Sequence, residues 1–221
     1  MDSKLISSNI AWYSRYEIIH ETLVKSTTDE DLERIKDQMI GQHLIEFLGE
    51  DAEKTVYRTD SETMGKRLVY LGIVICNLLQ TCSDTEKMLL RRVSGELYEI
   101  NKDGNVTLRN KAKTPSTTVQ NPNDTDAAYH SKVGKKVKGF STNITETCDE
   151  EGKPSFITDV QVTPANAADN GFVEKTLETT KEVTGNKVDK LHADVAYQSP
   201  GNRRLAADEE NGFEFVANDI Q

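Results

Sequence analysis

KVKGFSTNITET (residues 136–147) and SFITDVQVTP (155–164) each alternate apolar and polar side chains, and the acidic cluster DEEG (149–152) lies between them. A period of two predicts strands, and a polar, glycine-containing break between two such runs predicts a turn, so the pair reads as a β-hairpin. The residues that follow change period. DNGFVEKTLETTKEV (169–183) spaces its apolar positions as an amphipathic helix does, KVDKLHADV (187–195) reads as a strand, PGNRRLAADEEN (200–211) as a helix with Pro200 in its first turn, and FEFVAN (213–218) as another strand. Hairpin, helix, strand, helix, strand describes an α/β sheet with an antiparallel edge and parallel crossovers. Ligands of such sheets gather beyond the carboxyl ends of strands, and Asp194 stands at one of those ends.

Upstream of the hairpin the pattern is helical from Arg15 to about Asn101. Thr27 with Glu30, and Ser83 with Glu86, have the spacing of capping boxes ahead of DLERIKDQMIGQHLIEFL (31–48) and KMLLRRVSGELYEI (87–100). Between these, SETMGKRLVYLGIVICNLLQ (61–80) is apolar on nearly all sides, as a helix buried inside a helical group would be. From Lys102 to Lys136 the chain turns to Lys, Asn, Thr, Asp and Pro with few aliphatic residues, which predicts a long loop or linker.

Composition sets outer bounds. With 221 residues the chain can bury a sizeable core, and with 36% hydrophobic and 29% charged residues it is folded but polar. A formal net charge of -10 argues against an autonomous, high-affinity nucleic-acid-binding module, which would usually be basic, but not against a carboxylate site. Cys76, Cys82 and Cys148 form no CxxC pair and have no histidines at zinc spacing, so they read as free, mostly buried thiols. The start lacks the basic-then-apolar order of a signal peptide, and LVYLGIVICNLL (68–79) is short of the ~20 residues that span a bilayer. The expected setting is therefore cytoplasmic and reducing, without membrane partners.

Four stretches taken together carry a resemblance: MDSKLISSNIAWYSRYEIIHETL (1–23), NPNDTDAAYHSKVGKKVKGF (121–140), ITDVQVTPANAADN (157–170) and HADVAYQS (192–199). Their arrangement resembles the DDE-type transposases of bacterial insertion sequences. The resemblance implies a ribonuclease H-like mixed sheet with an all-helical insertion after the first strand, and a catalytic centre of two aspartates and a glutamate that hold divalent metal, Mg²⁺ or Mn²⁺. By motif the aspartates fall on Asp2 and Asp194, as catalytic and metal-binding residues on adjacent strands. Two hard cations about 4 Å apart need oxygen ligands to stabilise the attacking and leaving oxygens of a phosphodiester.

The same resemblance divides the chain into a remnant of the first catalytic strand with the segment after it (1–14), a helical insertion (15–101), a polar loop or linker (102–136) and the α/β core (137–221). In the loop, Asp126, His130, Lys132, Lys135 and Lys136 could contact DNA or the metal shell, or form only a solvated basic loop. Tyr197 and Arg203 follow the second aspartate and could reach a phosphate, while Arg204 is equally placed to be a surface charge. Asp169 reads as a helix cap.

The third carboxylate belongs on a helix after FEFVAN; Glu209, Glu210 and Glu214 are candidates by composition alone and none is assigned. The expectation is a transposase piece truncated at both ends, inactive by itself. The complete enzyme would act on transposon ends and target DNA, associated with the nucleoid and as a homo-oligomer. Two other readings stay open: a non-catalytic interaction protein that binds a full-length transposase, and another ribonuclease H-like metal nuclease.

Overall fold

The computed structural model describes residues 2–7, 14–83, 85–132, 134–148, 154–209 and 212–218. The chain is mixed α/β and divides into two units, Asn9–Ala128 and Met1–Ser8 with Tyr129–Gln221. The turn predicted at 149–152 lies outside the described residues. Among the described residues no helix is long and apolar enough to cross a membrane.

The first unit is helical: α1 (Arg15–Ser26), α2 (Asp29–Ile35), α3 (Met39–Leu48), α4 (Ala52–Arg58), α5 (Ser61–Gln80) and α6 (Met88–Leu97), closed by a small antiparallel ladder of β2 (Tyr98–Ile100) and β3 (Val106–Leu108). The helix starts differ from the expected capping boxes by small shifts. Ser14 with Glu17 caps α1, and Thr28 with Asp31 caps α2, while Thr27 instead closes the end of α1, its backbone N–H and its hydroxyl both donating to the Leu23 carbonyl, at 3.0 and 2.8 Å. Ser83 and Glu86 make half of a box, N–H to carboxylate at 2.7 Å, but α6 begins later, after Lys87.

The 31–48 stretch is two helices rather than one. The chain bends sharply after Ile35, and a Cβ placed on Gly41 would sit 2.2 Å from the Ile35 carbonyl oxygen, so only glycine lets α3 return that close to α2. Helix α5 buries Leu68, Leu71, Val74, Ile75 and Leu78 but leaves Tyr70 and Ile73 partly exposed, so it is buried along one stripe and not on all sides. At Gly72 the ring of Tyr98 lies against the helix backbone, with its hydroxyl donating to the Leu68 carbonyl at 2.9 Å. A Cβ there would meet that ring at 2.6 Å. Gly72→Ala is expected to lower stability by about 1–3 kcal/mol through overpacking, measured by urea unfolding.

The 102–136 segment is not a free linker. It carries β3, a 3₁₀ turn (Lys111–Lys113) and β4 (Ala128–Lys132), and Val119 is buried in the helical core. Hydrogen bonds pin it: Arg15 donates to the Arg109 carbonyl at 2.9 Å and to Thr114 at 3.1 Å, Arg92 to the Thr117 carbonyl at 3.1 Å, and the Val119 N–H to Glu96 at 2.8 Å. Polar anchors from distant helices add to the burial of Val106 and Val119, and composition alone does not register them. The thiols also differ from expectation, since Cys76 and Cys82 are half-buried and Cys148 is exposed.

The second unit contains β1 (Asp2–Ser7), β5 (Lys135–Glu146) and β6 (Ile157–Pro164), then α7 (Val173–Thr184), β7 (Lys190–Asp194), α8 (Pro200–Ala206) and β8 (Glu214–Asn218). The long β5 is central: β1 and β6 both pair with it antiparallel, and β4 also joins it. Strands β7 and β8 pair in parallel.

An antiparallel sheet covered on one face usually turns its apolar side to the cover. In β5 and β6 the sense is reversed. Ser141, Asn143, Thr145, Asp159 and Gln161 are buried, with Asp159 and Gln161 hydrogen-bonded into α7. Ile144, Val160 and Val162, together with Phe156 and Ile157, are exposed. The register pairs Ile144 with Val160 and Asn143 with Gln161, so apolar and polar sets occupy opposite faces.

Candidate active site

Strand β7 alternates: Leu191 and Ala193 are buried with Phe172, Val173, Tyr197 and Phe213, and His192 and Asp194 are half-buried between them. Asp194 is the last residue of β7, paired with Asn218 of β8. It is also the N-cap of a 3₁₀ turn, Val195–Tyr197, and accepts from the Ala196 N–H at 3.5 Å. That bond is at the long limit, and among the described residues it is the one bond this carboxylate accepts. Asp194 therefore combines a rigid backbone with weakly committed oxygens, which suits a ligand for a hard cation.

Asp2 opens β1, and the ladder pairs it with Ile144 and Ser3 with Asn143. Among the described residues β1 pairs with β5 and β7 with β8, so the expected adjacency of the two aspartate strands is not made by a ladder between them. A side-chain bond makes the connection instead. Tyr197, three residues beyond Asp194, donates its hydroxyl to Asn143 Oδ1 at 2.9 Å, and Asn143 is the ladder partner of Ser3.

Tyr197 was expected to reach a phosphate, and that role is corrected. It is 1% exposed, because the 3₁₀ turn carries its ring back beneath the strand into the core. Arg203 is exposed on α8 and donates to the Gln198 side chain at 3.0 Å, and Arg204 is exposed beside it. Lys132 ends β4 and Lys135 begins β5, on either side of a connection that contains Gly134 at φ 77°; Lys136 is exposed. This brings three lysines to one hairpin tip, with the side chains of Lys132 and Lys135 outside the described set. His130 is half-buried on β4, and Asp126 is exposed in the segment before it.

Asp169 is not the cap itself: the cap position of the 3₁₀ turn Asp169–Phe172 is Ala168, and Asp169 is its first residue. Glu214 is exposed on β8 and pairs with Lys190 at 2.9 Å, and Glu209 is exposed after α8. Glu210 lies outside the described residues. Among those described, no group of three or more His, Cys, Asp or Glu side chains could hold a metal ion.

Two residues to which the sequence reading gave no part in the site complete its frame. Asn143 is wholly buried in mid-strand, and Asn202 Nδ2 donates to the carbonyls of Tyr197 and Asn170, each at 2.8 Å. The signal for Asn143 is an amide in the middle of an alternating strand, a position that demands a buried partner. Asn202 follows SPG, where Ser199 caps α8 by accepting the Asn202 N–H at 3.0 Å. Compared with protein-family models, curated proteins and solved structures, the chain matches none.

Proposed function

We propose that this chain carries the two-aspartate part of a metal-dependent DNA cleavage and strand-transfer centre, of the DDE transposase type on a ribonuclease H-like fold. The observation that carries the reading is the order of elements in the second unit. Antiparallel β1, β5 and β6 are followed by α7, β7, α8 and β8 with the last two strands parallel, and the aspartates stand in β1 and at the end of β7. In this reading Asp2 and Asp194 would hold Mg²⁺ or Mn²⁺, which would supply the positive charge that activates water and stabilises a departing phosphodiester oxygen. Arg203 and the lysines of the β4–β5 hairpin meet the DNA backbone, at transposon ends and target.

Mn²⁺ titration of the purified chain tests this. Binding is expected to weaken at least tenfold in Asp194→Ala and in Asp2→Ala, and equal affinity in all three proteins overturns the reading. Nicking of plasmid DNA by the chain alone is expected to be absent, because this reading assigns the centre two aspartates and no glutamate. Mg²⁺-dependent nicking that disappears in Asp194→Ala would refute that part.

The open apolar face of Ile144, Val160 and Val162 favours a second reading, a non-catalytic protein that associates with an intact transposase. Co-purification with a full-length relative, combined with metal affinity indifferent to both aspartates, would select it.

A further inference from the structure

We infer that the Tyr197–Asn143 hydrogen bond is a clamp that positions the Asp194 end of β7 against the β1–β5 ladder bearing Asp2. As a statement about catalysis it rests on the function proposed above. As a statement about geometry it rests on the bond alone.

Each end of the clamp is fixed by its surroundings. Asn143 is 0% exposed and is held in the ladder between Ser3 on one side and Gln161 on the other. Its Nδ2 donates to Thr145 Oγ1 at 3.4 Å, which orients the amide so that Oδ1 is left to accept from the tyrosine. Tyr197 is fixed by its ring, packed with Phe172, Leu191 and Phe213, and by its carbonyl, which accepts from Asn202 at 2.8 Å. Asp194 caps the short turn that Tyr197 ends, so any shift of the tyrosine is passed to the aspartate through one rigid turn.

The clamp matters because no described ladder joins β1 to β7. A metal centre tolerates about 0.5 Å of misplacement in its ligands, so strands that are not tied by backbone bonds need a specific side-chain tie. A buried phenol donating to a buried amide, each already oriented by a second contact, provides one. Tyr197 is thus a positioning residue that acts on Asp194 through the short turn between them.

Tyr197→Phe keeps the ring and removes the bond, and Asn143→Leu removes it from the other side. Hydrogen exchange on the full chain is the first measurement. Both variants are expected to exchange faster in the 190–197 and 2–7 segments, with α7 and the helical unit unchanged; wild-type rates in those two segments overturn the clamp. Mn²⁺ affinity, measured well below the unfolding temperature, is the second. Where the wild type shows Asp194-dependent binding, each single variant is expected to lose about tenfold, as partners of metal ligands commonly do, and the double variant no more than either. Unchanged affinity in Tyr197→Phe overturns the positioning role. Absence of Asp194-dependent binding in the wild type defeats the functional reading instead, and the exchange rates still decide whether the bond holds the two strands.

Discussion

Lys87→Met is expected to destabilise the helical unit by about 3–5 kcal/mol, read from urea unfolding followed by helix circular dichroism. The Lys87 ammonium lies 2.5 Å from Asp31 Oδ2 and 2.5 Å from the Ser26 carbonyl, and the two side chains of the pair are only 8% and 3% exposed. Lys87 reaches this place by adopting φ 55°, in the left-handed region that costs a lysine about 1–2 kcal/mol, so the contacts outweigh a real strain. Methionine preserves most of the packing of the stem but takes away the close cation of a buried carboxylate, leaving it the Thr28 bonds and the Arg34 guanidinium 4.0 Å from Oδ1. Burial alone would raise the Asp31 carboxyl; the Lys87 hydrogen bond and the backbone and hydroxyl bonds of Thr28 outweigh it and hold the group below the ordinary carboxylate range. The sign of the pH dependence follows. A depressed folded pKa contributes stability that is present above the unfolded value of about 3.9 and is lost as pH falls through the lower folded value. Wild type should therefore lose stability on acidification through that window, and Asp31→Asn should flatten the loss. Lys87→Met removes two of the causes that lower the Asp31 carboxyl, so the gap between variant and wild type should narrow on acidification as that carboxyl protonates. A gap below 1 kcal/mol at neutral pH would remove the pair from any important role.

What could be read in advance was what local chemistry decides. The β5–β6 hairpin, α7, β7 and β8 announce themselves by period, and α8 by Ser199 and Pro200 at its start. Asp194 at the end of β7 follows from the same kind of signal. Features set by distant partners were not legible. The bend after Ile35 depends on how closely Gly41 approaches a carbonyl, and the 102–136 segment is ordered by Arg15, Arg92 and Glu96, which lie elsewhere in the chain. Tyr197 looked like a phosphate contact because it follows a carboxylate, but its ring is buried with Phe172, Leu191 and Phe213 and its hydroxyl bonds Asn143, 54 residues away. Alternation predicted the hairpin but could not say which face was covered. The covering helix α7 presents Thr176 and Thr180, and these hydroxyls select the polar face of the sheet.

Gln161→Leu is expected to cost about 3–5 kcal/mol, an effect out of proportion to the apolar area gained. The Gln161 Nε2 lies 2.6 Å from Asp159 Oδ2, 3.0 Å from the Phe172 carbonyl and 2.9 Å from Thr176 Oγ1, while Thr176 itself donates to Asp159 Oδ2 at 2.7 Å. Asp159 is 5% exposed and Thr176 is 0% exposed, so water cannot substitute for a lost donor. Leucine would leave the carboxylate with one fewer donor and the Phe172 carbonyl without the amide. The size of the effect thus reflects the desolvation of what remains and not the strength of one bond. A comparison of variants separates these terms: Asp159→Leu, Gln161→Leu and Thr176→Val combined remove most of the polar set at once and should be less destabilised than the sum of the single changes. Additive losses would mean that the three side chains act independently. Non-additivity would place the register of α7 on β6 under the control of this polar cluster. The 3₁₀ turn Asp169–Phe172 leads directly into α7, and the Asn202 amide bonds its Asn170 carbonyl as well as that of Tyr197, so the cluster also steadies the turn that presents Asp194.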